Sequence, residues 1–595
     1  MILSALHNYY QRLINNHEEG IAPFGFSQEK ISYALVLSKD GRLLDVQDIR
    51  DTSGKKPVPA ILTVPQPPKR SVNIAPCFLW DNSSYVLGIS SAHDERSKMR
   101  NKETYGSFKA MHQRVLANCD SVRLGAFLAF LDRWEPEAWQ KSSLISEDML
   151  DANYVFRLDG DLEYMHQYHE AQKIRLEILY ESATPSKVCL VTGAHAPIAR
   201  LHPSIKGVYG AQTAGASIVS FNLDAFTSYG KSQGENAPIS EAVAFSYTAT
   251  LNYLLRKGSP QRLQIGDSSV VFWAQTASIE SGRVATGLFS DLLNPPANDS
   301  SESDRLRSAL DLIRRGQPLK DLDSNLENDT AIYVLGLAPN ASRLSIRFWE
   351  KGSLKFFIER LAQHFRDLEL HPLPWKTAPS VWRLLLETVP HREGSQPKSD
   401  DIPPQLAGET IRAILTGRRY PTSLFTNLIM RMRADGDISP LRVAMCKAVL
   451  VRDARIVNKT TLKEIPMSLD LNNTDPGYLL GRLFATLENI QQSALGRDIN
   501  ATIRDRYYGA ASATPASIFP VLVRNAQHHL GRLRKDRPGA AVNLEQQIQD
   551  IVDKLPANFP KSLRMETQGR FAIGYYHQSK ARFSQKETDF NQGED

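Results

Sequence analysis

The stretch AFTSYGKSQGENAP contains Gly230, Lys231 and Ser232, the residue types that close a phosphate-binding loop of the form G-x-x-x-x-G-K-[ST]. Such a loop needs a further glycine five residues before Gly230, and the chain has Ala225 there. A side chain at that position hinders the tight turn whose amides surround a β-phosphate, and no buried strand precedes it. The stretch therefore does not predict an ATP site.

Metal and nucleophile chemistry is equally poorly supported. His93 and Asp94 resemble a metal-dependent nuclease pair, but they lie in the polar run SSAHDERSK, which favours a helix cap. His195 and His202 have no cysteine or carboxylate at ligand spacing, and neither a G-x-S-x-G elbow nor a Cys-His signature occurs. We expect no catalytic residue, no metal and no cofactor.

Composition is that of a multidomain globular protein of 595 residues with a net charge of only +6. The four cysteines are widely spaced without a CxxC pair, and no export signal or run of 18 apolar residues is present. We therefore expect a reduced, cytoplasmic protein with no membrane span.

Two segments combine cations with short amides, as a nucleic-acid-binding surface would. The region 193–238 is rich in glycine and carries cations and amides at Arg200, Lys206, Gln212, Asn222 and Lys231. The proline-stiffened connector PQPPKRSVNIAP carries Lys69, Arg70 and Asn73. For both segments the residues leave a second interpretation open, namely a loop that only packs on its own domain, with glycines serving tight turns.

Secondary-structure patterns predict an α+β protein. A helix is expected at 2–16, a hairpin around Asp40–Gly41, a second hairpin in CFLWDNSSYVLGI, and a strand pair in AIYVLGLAPNASRLSIRFW. After residue 352 only helices with apolar residues at three- and four-residue spacing are expected. We predict three domains: 1–352, mixed α+β; 353–466, a helical connection; and 467–595, an antiparallel helical bundle.

Several long blocks resemble the large subunit of the type I-C CRISPR surveillance complex, Cascade. They include MILSALHNYYQRL, VPQPPKRSVNIAPCFLWDNSSYVLG, CLVTGAHAPIARLHPSIKGVYGAQTAGASIVSFN, YVLGLAPNASRLSIRFW and DPGYLLGRLFATLE. The blocks are long and are spread over most of the chain.

The resemblance implies a non-catalytic subunit of an RNA-guided antiviral complex. In that family the large subunit reads the protospacer-adjacent motif, typically TTC, in duplex DNA and helps to part the strands. The implied partners are target DNA and its displaced strand, CRISPR RNA held through the complex, backbone, 5′-handle-binding and small subunits, and a recruited helicase-nuclease. Expected DNA contacts are Lys69, Arg70, Asn73, Arg200, Lys206, Gln212, Asn222 and Lys231, and along the displaced strand Arg504, Arg524, Arg532 and Arg534.

The alternative is a stand-alone metal-dependent nuclease or nucleotide hydrolase whose site is assembled from scattered carboxylates. Cleavage of plasmid DNA by the purified chain with magnesium alone would favour that alternative.

The resemblance also implies a small subunit translated from within the gene, and Met467 is the candidate start. Met467 lies at a polar break before the last helices, and Lys463–Glu464 can only be encoded by AA(A/G)GA(A/G), a purine run two codons upstream. We predict that the unmodified gene with a C-terminal tag yields a second product spanning 467–595. A non-start codon at position 467 should abolish this product and leave the full-length chain. A short band that persists in this variant, or none from the unmodified gene, would contradict the prediction.

Overall fold

A computed structural model gives the fold of most of the chain. It describes all residues other than 17–19, 55, 69–73, 93, 142, 182–185, 277, 295–307, 310, 313–314, 316, 376–377, 391–397, 399–400, 404, 458–464, 497–500 and 592–595. Both strands and helices occur up to Ser353, and the described residues after it form helices without strands. This confirms the predicted α+β class with an all-helical C-terminal region.

The elements follow in chain order. The strands are β1 (Phe26–Ile31), β2 (Tyr33–Leu37), β3 (Leu43–Asp48), β4 (Ala60–Pro65), β5 (Trp80–Asn82), β6 (Asn153–Leu158), β7 (Ser186–Val188), β8 (His195–Pro197), β9 (Arg262–Ile265), β10 (Ser268–Gln275), β11 (Ala331–Asn340) and β12 (Arg343–Ser353). The helices are α1 (Ile2–Asn15), α2 (Ser83–Val86), α3 (Glu95–Val115), α4 (Val122–Arg133), α5 (His169–Glu181), α6 (Glu241–Leu255), α7 (Ile279–Leu293), α8 (Leu354–Leu368), α9 (Val381–Leu386), α10 (Leu406–Thr416), α11 (Thr422–Asp435), α12 (Pro440–Ile456), α13 (Pro476–Leu495), α14 (Ile503–Ala513), α15 (Pro515–Asp536), α16 (Pro538–Val552) and α17 (Met565–Asn591).

The chain divides into two compact units. The first comprises Met1–Ile205 and Val219–Tyr253, and the second comprises Lys206–Ile218 and Leu254–Asp595. The boundaries predicted at 352 and 466 both fall within the second unit, so the three-domain division stays a prediction.

A four-stranded sheet with the order β3-β2-β6-β5 forms the centre of the first unit. β2 pairs antiparallel with β3 and parallel with β6. The predicted hairpin at Asp40–Gly41 is confirmed, and Gly41 has a φ of 81°. A Cβ there would lie 2.5 Å from the backbone nitrogen of Phe130, so only glycine fits between this turn and α4.

The second predicted hairpin is wrong. Residues Trp80–Asn82 form a short strand that pairs with β6, and the chain then enters α2 instead of returning as a strand. The reason is local: the Asn82 side chain accepts a hydrogen bond from the backbone nitrogen of Ser84 at 3.1 Å. Asn-Ser-Ser is therefore a helix cap here and not a hairpin turn.

Helices α3 and α4 cover one face of this sheet with aromatic side chains. The ring of Phe127 packs edge-on against Phe156 of β6, with centroids 4.6 Å apart, and Phe108 lies beside both. His112 of α3 is fully buried among them and accepts a hydrogen bond from the backbone nitrogen of Leu79 at 2.9 Å. Burial lowers the pKa of His112 to about 3, so this histidine is neutral and belongs to the core.

The second unit begins with an antiparallel sheet of order β12-β11-β10-β9, as predicted for AIYVLGLAPNASRLSIRFW. Helices α7 and α8 pack on it through the rings of Phe272, Phe289 and Phe357. The same apolar core continues through α10, α11 and α12 into the five C-terminal helices, α13 to α17. Sheet and helical region therefore share one core.

Asp367, a buried carboxylate at the end of α8, joins α8 to α12. Its side chain accepts from Arg452 Nε at 3.2 Å and from Arg455, while its backbone oxygen accepts from Lys447 Nζ at 3.0 Å. Arg452 also donates to the backbone oxygen of Ala413 at 3.0 Å and lies over the ring of Tyr420. One carboxylate thus offsets the buried charge of Arg452 and orders three helices around it.

Helices α13 and α17 touch through their backbones. A Cβ on Gly481 of α13 would lie 2.0 Å from the backbone oxygen of Phe571, and one on Gly574 of α17 would lie 2.1 Å from that of Tyr478. Neither position has room for a side chain, so the two glycines allow these helices to approach each other backbone to backbone.

We predict that Gly481→Ala destabilises the full-length chain by about 1–3 kcal/mol, the usual cost of forcing a methyl group into a packed core. The matched control is Gly531→Ala in α15, where a Cβ meets nothing within 4 Å. The control should be neutral or stabilising by up to about 1 kcal/mol because alanine favours helix. Denaturant midpoints of the two variants measure the difference, and equal midpoints would contradict the backbone contact.

Candidate nucleic-acid interface

The glycine-rich region of the first unit is a folded loop and not an extended one. It starts with the small hairpin β7-β8, and the backbone nitrogens of Leu190 and Ala199 donate to the oxygens of Pro238 and Ile239, both at 2.9 Å. These bonds close the loop at its base.

Within the loop, residues 228–231 form a tight turn. Lys231 N donates to Ser228 O at 3.0 Å, and the two central residues, Tyr229 and Gly230, have φ values of 51° and 67°. Two consecutive positive φ angles are the pattern of a type I′ turn. The turn places the side chains of Tyr229 and Lys231 in solvent.

Two cations of the loop have different partners. Lys187 Nζ lies 2.6 Å from a carboxylate oxygen of Glu235, and this bond, together with bonds from Ser232, lowers the pKa of Glu235 to about 2. Arg200 is exposed and its Nε donates to the neutral amide of Gln233 at 2.6 Å. The charge of Lys187 is therefore compensated by Glu235 within the loop. Gln233, by contrast, orients the Arg200 side chain without compensating its charge.

Glycines in this region serve two purposes. A Cβ on Gly234 would lie 2.0 Å from the backbone oxygen of Ala199, and in the second unit one on Gly207 would lie 2.8 Å from that of Leu255. These glycines allow the chain to pack on itself. Gly193 and Gly230 have positive φ and open space around them, so they serve exposed turns.

The geometry around Ala225 is not that of a nucleotide loop. A phosphate-binding loop joins a strand to the N-terminus of a helix. Here the flanking segments, Asp224–Phe226 and Gln233–Asn236, are both short 3-10 turns.

Lys206 and Gln212 belong to the second unit, in the segment Lys206–Ile218. This segment is fixed to the sheet because Tyr209 N donates to Ser269 Oγ at 3.0 Å and Leu344 N donates to Ser217 O at 3.0 Å. Gln212 lies between these anchors at an exposed turn, where its backbone oxygen accepts from Gly215 N at 2.9 Å. Gln212 is thus displayed on a braced loop.

Three of the predicted DNA contacts lie in the connector. Lys69, Arg70 and Asn73 lie outside the described residues. Asn222 is described and exposed, on the surface of the loop of the first unit. Arg200, Asn222 and Lys231 therefore share one loop, whereas Lys206 and Gln212 share another.

The C-terminal arginines differ in how far their charges are compensated. Arg534 pairs with Glu545, and Arg532 lies 3.7 Å from Asp536. Arg504 lies 3.9 Å from the buried Glu488 and 3.7 Å from Asp505. Arg524 is exposed and makes no ion pair with any residue that the structure describes.

Helix α15 carries a basic face that the sequence only partly identified. Arg524, His528, Arg532 and Lys535 are all exposed and recur at intervals of four, four and three residues, which places them on one face. His528 and Lys535 were missed, and their helical spacing relative to the predicted arginines is the signal that could have found them.

Helix α3 is the most basic described helix of the first unit. Residues 95–115 contain six lysines and arginines against two glutamates. Lys98 and Lys109 pair with Glu95 and Asp132. The cations that are exposed and make no ion pair with a described residue are Arg96, Arg100, Lys102 and Arg114. The signal was visible in the sequence, but the expected DNA contacts did not include this helix.

The described residues include neither a metal site nor a membrane-spanning helix. They contain no group of three or more His, Cys, Asp or Glu placed to hold a metal ion. His202 instead bonds to the hydroxyl of Tyr247 at 2.6 Å, and burial lowers the pKa of His202 to about 4. No described helix has the length and apolar character needed to cross a bilayer.

Comparison with known proteins identifies the family. No curated protein matches the chain. The family model described as CRISPR-associated protein (Cas_Csd1) matches residues 6–583, nearly the whole chain. The chain therefore belongs to this family of CRISPR-associated proteins, as its sequence blocks predicted.

Proposed function

We propose that the chain is the non-catalytic large subunit of an RNA-guided DNA surveillance complex. The observation that carries the proposal is the match of a CRISPR-associated family to residues 6–583, nearly the whole chain. In this role the subunit reads the protospacer-adjacent motif in duplex DNA and helps to part the strands, while guide RNA pairing reads the rest of the target.

The partners follow from the same role. Backbone subunits and a 5′-handle-binding subunit hold the CRISPR RNA, small subunits lie along the displaced DNA strand, and a helicase-nuclease recruited to the complex cuts the DNA. In this proposal the chain contributes binding and strand separation, so cleavage belongs to the recruited partner.

The exposed face of α3 supports contact with a polyanion. Arg96, Arg100 and Lys102 lie within seven residues on one exposed, basic helix whose other face is fixed in the core by Phe108 and His112. A rigid helix that presents uncompensated cations attracts phosphates without reading sequence. We assign α3 to contacts with the sugar-phosphate backbone of DNA and not to motif recognition.

Motif recognition needs side chains that can pair with base edges. Gln212 fits this need because its loop is braced at both ends and its side chain is exposed. An amide can bond to adenine in the major groove, and the neighbouring Lys206 can contact guanine or phosphate. Asn73, in the basic connector, remains the second amide candidate from the sequence.

We predict that the full-length chain alone binds duplex DNA weakly and with strong salt dependence. Replacing Arg96, Arg100 and Lys102 by glutamine should flatten the slope of log K against log salt by about 0.9 for each DNA phosphate that these side chains no longer neutralise. Fluorescence anisotropy over a salt series measures the slope.

The control neutralises three exposed cations that pair with surface carboxylates: Arg42, Arg283 and Lys320. Both triple variants remove three positive charges, so net charge alone predicts equal effects. A control slope that falls as much as the α3 slope would refute a local α3 contact, and tight, salt-insensitive binding by the chain alone would count against a guided complex.

We also predict that base-reading and phosphate-binding residues differ in motif discrimination. In the assembled complex, Asn73→Ala and Gln212→Ala should each cost about 1–3 kcal/mol on the correct motif and little on a wrong one. Lys231→Ala, which removes a phosphate contact, should weaken binding to both motifs alike. Target-binding titrations with matched and mismatched motifs distinguish the classes, and unchanged discrimination in both amide variants would show that other residues read the motif.

A further inference from the structure

Tyr229 is an unusually exposed large hydrophobic residue. Its exposed fraction is 97%, and among the large hydrophobic residues that the structure describes only the terminal Met1, at 98%, exceeds it. The described residues of the first unit thus leave the ring almost fully in water. Exposure of a complete aromatic ring to water is unfavourable and is a feature of binding surfaces.

The backbone of Tyr229 is also in a conformation that a tyrosine seldom adopts. Its φ of 51° is in the left-handed region, and the following Gly230 has a φ of 67°. The first central position of such a turn usually holds asparagine, aspartate or glycine because a bulky side chain is strained there. The turn itself therefore does not explain why this residue is tyrosine.

The side chain of Asn236 stabilises the turn through hydrogen bonds. Its Oδ1 accepts from Ser228 N at 3.1 Å, and its Nδ2 donates to Lys231 O at 3.2 Å and to Gln233 O at 3.0 Å. One side chain thus fixes both ends of the turn. The ring of Tyr229 is presented from a rigid base, which reduces the entropic cost of binding a ligand.

The charges near the turn favour an anionic ligand. Lys231 is exposed beside Tyr229, and Arg200 is oriented by the amide of Gln233. The nearby carboxylate of Glu235 is occupied by Lys187 and Ser232. An aromatic ring next to cations is the arrangement with which proteins stack unpaired bases and hold the adjoining phosphates.

We propose that Tyr229 stacks on an unpaired nucleobase of single-stranded DNA while Lys231 contacts the adjoining phosphate. The inference rests on the proposed function, since it requires that the chain meets DNA. It adds a site that acts on opened strands and not on the duplex motif.

The test uses the full-length chain and a single-stranded DNA oligonucleotide that contains 5-iodouracil. Irradiation should crosslink the base to Tyr229, as identified by peptide mass spectrometry. Tyr229→Phe should retain the affinity because the ring is kept. Tyr229→Asn suits the turn but removes the ring, so it should weaken binding about 5- to 150-fold, with little change for a fully paired duplex of the same sequence.

Leu223→Ala is the matched control because Leu223 is another exposed apolar side chain of the same loop, with an exposed fraction of 56%. This variant should bind as the unaltered chain does. An equal reduction of affinity in the Leu223 and Tyr229 variants, or no reduction and no crosslink at Tyr229, overturns the proposal.

Two further outcomes separate the proposals from each other. If Tyr229→Asn retains single-strand binding but no longer assembles with its partner subunits, the turn docks a protein. That outcome overturns the base-stacking assignment but not the proposed function. If a guide-loaded complex that contains the unaltered chain shows no preference for any motif, the proposed function is refuted. This conclusion does not depend on the results for the Tyr229 variants.

Discussion

The second unit depends on the burial of a single carboxylate. Asp367 lies at the end of α8, the helix that follows the last strand, and it compensates Arg452 on α12 at 3.2 Å. Arg452 in turn satisfies the backbone oxygen of Ala413 at the end of α10. Removing one partner of such a pair leaves a charge buried without compensation, a far larger penalty than the pair's net contribution. The interaction therefore acts as a requirement on the fold: α8, α10 and α12 must meet at this point.

Pairing with a carboxylate also divides the surface cations into two groups. Lys187 and Arg534 are satisfied by Glu235 and Glu545, so a phosphate would have to displace a carboxylate to reach them. Arg96 and Arg524 are exposed and pair with no carboxylate in the described part of the chain. A count of basic residues treats these two groups alike, whereas the structure separates them by their partners.

The sequence predicted those features that local chemistry controls. The Asp40–Gly41 hairpin, the paired strands before residue 353 and the helices after it were all correct, since turn residues and periodicity determine them. Asn82 was misjudged because asparagine suits both turns and helix caps, and only the contact with Ser84 decides between them. The surface ion pair of Arg534 was also beyond prediction: its partner, Glu545, lies eleven residues away on the next helix. Which cations of the candidate interface remain available is thus a property of packing, whereas the glycine-rich loop itself could be identified from composition.

The continuity of the core in the second unit has a consequence for any shorter chain that contains the C-terminal helices alone. Gly569 of α17 lies against the ring of Phe425 on α11, where a Cβ would be only 2.6 Å from it, and Tyr508 of α14 reaches Met432 of the same helix. Without α11 and α12 this apolar face would meet water. Its hydration would favour association with another surface, so the stability of such a chain would depend on its concentration and on that of its partner.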